Sequence, residues 1–90
     1  MQYFVYILYS EKLNKYYIGS TGDLDDRLRK HNRGRSGFTS LGKPWILMYN
    51  EVFDNKTVAL KREKQIKNWK NRDRIELLIQ KKAVGSEHPD

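Results

Sequence analysis

Hydrophobic and polar positions alternate along this chain in a way that marks six elements. Residues Tyr3 to Tyr9 are all aromatic, β-branched or Leu, with no breaker among them, which predicts a strand. A run apolar on both faces predicts a central strand covered on both sides. The polar stretch Glu11 to Lys15 contains Asn14 and predicts a hairpin turn. Tyr16 to Ser20 is then the partner strand, closed by Gly19 and Gly22. Asp23 is positioned as the N-cap of a helix, with Asp25 and Asp26 in its first turn, where the helix dipole favours carboxylates. Leu24 and Leu28 set the buried stripe of that helix, which should end near Asn32, ahead of Gly34.

Residues 33–44 hold three glycines, a proline and the basic side chains Arg33, Arg35 and Lys43, and predict a loop. Trp45 to Phe53 predicts a third strand. A second helix is predicted from about Lys56 to Trp69. Asn71 or Asp73 can cap a third helix that runs through Lys81, with Ile75, Leu78 and Ile79 at the spacing of one helical face. Ala83 to Asp90 reads as a tail, so residues 1–82 form the domain and residues 83–90 a flexible extension. The order is β-β-α-β-α-α. Two strands joined by a short turn must be antiparallel. The expected architecture is α+β, a three-stranded, mainly antiparallel sheet flanked by three helices.

Ninety residues allow one domain with a small core. Eighteen Lys and Arg against eleven Asp and Glu give a net charge of +7. Such a domain attracts polyanions by its field alone, and nucleic acid is the expected partner. No helical segment pairs a wide apolar face with an all-basic one, so a membrane surface is not expected. Cysteine is absent, which excludes disulfides and thiolate metal sites. The N-terminus enters a strand-like run with no basic leader or cleavage site, so a cytoplasmic location is expected. The pattern leaves the oligomeric state open, a monomer included.

Several polar residues fall where apolar ones would be expected. On the first helix, Leu24, Arg27, Leu28 and His31 share one face, within about 100°. A basic residue on the core side must be paired, or must face a cleft. The plain alternatives are an Arg27 that snorkels at the edge of the stripe and a His31 that caps the last turn. On the second helix, Val58, Ala59, Ile66 and Trp69 make the apolar side, and Glu63 flanks it. Glu63 is the sole carboxylate from Lys56 to Lys70, among six basic residues. It either pairs with a base, such as Lys67 at i+4, or binds a cation. Tyr6 shares a strand face with Phe4 and Leu8, and Tyr17 lies on the adjacent strand. Tyrosine in a strand is usually packing, and a phenol acts as a base only beside positive charge or metal. Together, two phenols, an Arg, a His and a Glu could serve phosphoryl transfer, which needs a base, a cation for the developing charge and help for the leaving oxygen.

These residues carry a resemblance. Phe4-Val5-Tyr6 and, ten residues on, Tyr16-Tyr17-Ile18-Gly19 are similar to the paired strand motifs that name the GIY-YIG nuclease superfamily. Arg27 matches the family's helical Arg, with His31 one turn later, and Glu63 matches its metal-binding Glu. The resemblance covers residues 2 to about 80. Within the superfamily, the chain resembles the small stand-alone bacterial members, which are similar to the nuclease domain of the excision-repair endonuclease but lack its other domains.

The resemblance implies a metal-dependent endonuclease, acting on DNA of structured or damaged form and leaving a 5′-phosphate and a 3′-hydroxyl. It makes Tyr6, Tyr17, Arg27, His31 and Glu63 the expected catalytic residues. Either phenol would act as base or orient the attacking water, Arg27 would hold the scissile phosphate, and His31 would stand near it. Glu63 would hold one divalent ion, Mg²⁺ or Mn²⁺. Arg33, Arg35, Lys43, Lys67 and Lys70 are expected to contact nucleic acid. Two positions depart from the pattern. Phe4 replaces the first glycine, and Ser20 stands where repair enzymes often carry Lys. Asn68 and Asn71 are the candidates for a family Asn. The competing reading is a non-catalytic nucleic-acid-binding module that keeps the fold.

Overall fold

The computed structural model describes residues 2–33 and 38–85. Its elements are β1 (Tyr3–Ser10), β2 (Lys15–Thr21), α1 (Leu24–Arg33), α2 (Phe38–Leu41), β3 (Trp45–Phe53), α3 (Lys56–Trp69) and α4 (Arg72–Gly85). The sheet order is β2-β1-β3, and both pairings are antiparallel. The all-apolar run therefore does form the central strand.

Side chains alternate across a strand, so the two faces of β1 serve different helices. Val5 and Ile7 pack with Tyr49, Ala59, Ile66 and Ile75 beneath α3 and α4. Tyr6 and Leu8 pack with Trp45, and Leu24, Leu28 and Tyr17 close over them from α1 and β2. Val5, Ile7, Leu8 and Ile66 are fully removed from water. Each such side chain contributes roughly 1.5–3 kcal/mol by burial.

Caps set the helix starts. Asp23 Oδ1 accepts from Asp26 N at 3.0 Å, and Asn55 Oδ1 from Val58 N at 2.9 Å. Asn71, rather than Asp73, caps α4, accepting from Arg74 N at 3.2 Å. The β1–β2 turn ends at Asn14, whose φ of 54° is left-handed, a conformation Asn tolerates better than most residues.

Two boundaries differ from the expectation. The 33–44 loop contains the single helical turn α2, too short to show any apolar period. Helix α4 continues past Lys81 to Gly85, so the expected tail begins inside it, and residues 86–90 lie outside the described residues. Ala83 favours that continuation. Among the described residues, no helix is long and apolar enough to cross a membrane.

Candidate active site

Helix α1 brings His31 to the sheet. Two of its outward basic residues share one carboxylate: Asp26 pairs with Lys30 at 3.2 Å and with Arg29 at 3.6 Å. Leu24 and Leu28 face inward, and one turn further on His31 is only 7 % exposed. It does not cap the helix. Its Nε2 lies 3.2 Å from the hydroxyl of Tyr6, itself 2 % exposed. Tyr17 packs its ring against the imidazole at 4.6 Å between centroids, in an edge-on geometry. Trp45 closes the group, 6.0 Å from Tyr17 and 6.4 Å from His31.

Gly19 makes room for this cluster. It stands opposite Tyr6 in the β1–β2 register, and a Cβ there would lie 2.5 Å from the Tyr6 hydroxyl. The glycine of the second strand motif thus exists because the tyrosine of the first lies over it.

Burial pushes the Tyr6 phenol well above its ordinary value, with Tyr17 and Glu63 adding to the rise and Arg27 opposing it. Burial lowers His31, and the charge of Arg27 lowers it further. Both directions keep Tyr6 protonated and His31 neutral near pH 7, so the phenol donates and Nε2 accepts. Arg27 itself is exposed, and among the described residues its guanidinium makes no hydrogen bond or ion pair. Its charge nevertheless acts on both buried groups.

Glu63 approaches from the other side. Ser20, Val5 and Glu51 lie directly across from one another in the two registers, on the face that α3 covers. Ala59 and Ile66 pack onto that face, with Glu63 between them. The Glu63 side chain is 16 % exposed and pairs with Lys67 Nζ at 2.6 Å. Its other oxygen accepts from the Ser20 hydroxyl at 2.5 Å. The i+4 salt bridge that the spacing allowed is therefore formed. Arg62 grips Glu51 at the opposite end of the same row with two bonds of 2.9 Å. Tyr49 also donates to Glu51. Helix α3 is thus fastened to β2 through Glu63 and to β3 through Arg62.

Tyr6, Tyr17 and His31 form one cluster on the α1 face, with Arg27 at its exposed edge. Glu63 sits on the α3 face and reaches the cluster through its charge. Among the described residues, no three His, Cys, Asp or Glu side chains could hold a metal together. A metal here would rest on one carboxylate, with water and phosphate as its remaining ligands. That donor set suits Mg²⁺, which keeps much of its hydration, and Glu63 already holds a cation, the Lys67 ammonium.

Of the residues expected to contact nucleic acid, Arg33 is exposed at the end of α1, and Lys43 is half-buried beside Pro44. Lys70 is exposed at the left-handed end of α3, Lys67 is ion-paired, and Arg35 lies outside the described residues. Three features escaped the sequence reading. Trp45 joins the cluster. Asn32 fixes it from below, donating to Trp45 O at 3.2 Å and accepting from Trp45 N at 2.6 Å. Arg62 and Glu51 form the clamp. Asn32 follows His31 at a helix end, where Asn is common for many reasons, and the clamp's partners are far apart in sequence.

Comparison with known proteins decides the family. The model of the GIY-YIG catalytic domain matches residues 2–76. The chain belongs to the GIY-YIG family. It is 35 % identical over 78 residues to a UPF0213 protein of Staphylococcus saprophyticus, covering 86 % of this chain and 94 % of that one. A UPF0213 protein of Staphylococcus aureus strain N315 is 35 % identical over 77 residues, covering 84 % and 93 %. These relatives are small and hold little beyond the GIY-YIG domain. The solution NMR structure of a UPF0213 protein from Bacillus halodurans shares the fold with a TM-score of 0.56 and 30 % identity, covering 89 % of this chain and 84 % of that one. The GIY-YIG family is one of nucleases, so membership implies nucleic acid as the partner class.

Proposed function

We propose that this protein is a metal-dependent endonuclease that hydrolyses phosphodiester bonds in DNA of structured or damaged form, and that it works in the cytoplasm. The observation that carries the reading is the grouping of Tyr6, Tyr17 and His31 beside the exposed Arg27, whose guanidinium has no ion pair among the described residues, with Glu63 acting electrostatically on the same phenol.

Within this reading the two phenols differ. Tyr6 is excluded from solvent and directs its proton to His31. Tyr17 is half-buried, and among the described residues its hydroxyl has no hydrogen bond. Tyr17 is therefore the phenol that meets the attacking water and orients it for attack on the phosphate. Tyr6 and His31 hold Tyr17 from behind. Arg27 binds the scissile phosphate and stabilises the charge that develops on it. Glu63 would hold one Mg²⁺ or Mn²⁺, which supplies Lewis-acid stabilisation of the phosphate and leaving oxygens. Arg33, Arg35, Lys43 and Lys70 contribute phosphate contacts along the strand.

The assignment of roles is tested by single-turnover cleavage with Tyr17→Phe and Tyr6→Phe. Tyr17→Phe should lower the rate about 100-fold or more, and Tyr6→Phe distinctly less. Equal activity of Tyr17→Phe and the parent would remove the role given to Tyr17.

A further inference from the structure

Both oxygens of Glu63 are in use. Oε1 accepts from Ser20 Oγ at 2.5 Å, and Oε2 meets Lys67 Nζ at 2.6 Å. A carboxylate has about four acceptor positions, so the Ser20 bond can persist beside a metal ion. The Lys67 contact cannot. Mg²⁺ demands oxygen ligands at about 2.0–2.1 Å in a near-octahedral shell, and an ammonium on the same small carboxylate would intrude on that shell and repel the ion.

We propose that Lys67 is the resident counter-cation of Glu63, and that a divalent ion binds there only as Lys67 leaves. The inference rests on the metal reading of Glu63 given above. Three features make Lys67 suited to leave. Its side chain is 52 % exposed, against 16 % for Glu63. Among the described residues, Glu63 is its one ion-pair partner. An i,i+4 pair of this kind is worth only about a twofold change in an equilibrium constant when exposed, so departure is easy once another anion is near. A nucleic-acid phosphate is such an anion, and the flexible lysine stem can turn to it. Lys67 thereby serves both sides of the exchange. It neutralises the mostly buried carboxylate before the metal arrives, and it becomes a phosphate contact afterwards. Because Ser20 keeps its bond to Oε1, the carboxylate stays oriented while its cation is exchanged.

Direct Mn²⁺ binding to the full chain, read by calorimetry or electron paramagnetic resonance without nucleic acid, tests this. Lys67→Met should bind Mn²⁺ roughly two- to fourfold more tightly than the parent, since both the competing ammonium and its repulsion of the ion are gone. Lys64→Met removes the same charge from the same helix at an exposed position and measures the through-space effect alone; its tightening should be less than half as large. Lys67→Arg should stay near the parent, and Glu63→Gln should bind no Mn²⁺ at this site. If Lys67→Met binds no more tightly than Lys64→Met while Glu63→Gln has lost the ion, the exchange is wrong and the metal reading stands. If Glu63→Gln binds like the parent, both are overturned.

Discussion

Gly19 and Tyr6 face each other across the β1–β2 pair so closely that a Cβ on Gly19 would lie 2.5 Å from the phenol oxygen. The obstructing group is not a loose side-chain tip. Tyr6 is buried, bonded to His31 and packed against Tyr17. Gly19→Ala must therefore push the ring, or part the strands. The expected cost is about 1–3 kcal/mol, seen as a lower urea midpoint, with loss of the Tyr6–His31 bond seen as a shift in the His31 titration by NMR. An Ala variant with the parent's midpoint and His31 titration would show that the contact is not tight.

The neutral state of His31 predicts how stability depends on pH. Its ordinary value is 6.5, and burial with Arg27 lowers it in the folded chain. Below about pH 6.5 the unfolded chain takes up a proton that the folded chain refuses, so stability falls as pH drops, down to the lower folded value. Above about pH 7 this contribution is complete and flat. Denaturant titrations from pH 4.5 to 8 should show the decline, and His31→Gln should flatten it. An unchanged slope in His31→Gln would place the effect elsewhere.

Most of the fold was legible because its signals are local. The unbroken apolar run of Tyr3 to Tyr9, the cap at Asp23 and the face shared by Leu24, Leu28 and His31 each announce an element without knowledge of the rest. The candidate site was legible where one element carries it, as with Arg27 and His31 on a leucine stripe. Contacts between elements were not. Nothing local ties Asn32 to the backbone of Trp45, or Arg62 to Glu51. Helical phase alone also could not decide between a salt bridge and a cation for Glu63; the structure forms the Lys67 bridge. The turn α2 is too brief to have a period.

The Arg62–Glu51 clamp sets the seating of α3. Both side chains are largely buried, at 25 % and 20 % exposure, and the guanidinium also donates to Gln65 and stands 5.7 Å from the Trp69 ring. Arg62→Met takes both guanidinium bonds away from the partly buried Glu51 carboxylate. The expected loss is about 1–3 kcal/mol, measurable as a drop in the urea midpoint. Because residue 63 follows directly, the variant should also weaken Mn²⁺ binding at Glu63 several-fold. A variant with full stability and unchanged Mn²⁺ affinity would show that the clamp does not set the seating of α3.

The central claim is nucleic-acid cleavage that needs the Glu63 carboxylate. Its most direct test is a cleavage assay on labelled single-stranded, duplex, flap and branched DNAs and an RNA, each with Mg²⁺, with Mn²⁺ and with chelator, comparing the parent with Glu63→Ala. The parent should cut at least one structured DNA in a metal-dependent way, and chelator and Glu63→Ala should each abolish the cutting, with most binding retained in the variant. Metal-dependent cutting that survives in Glu63→Ala would contradict the assignment of Glu63. Tight, salt-sensitive binding with no cutting by the parent would instead make this a nucleic-acid-binding module on the nuclease fold.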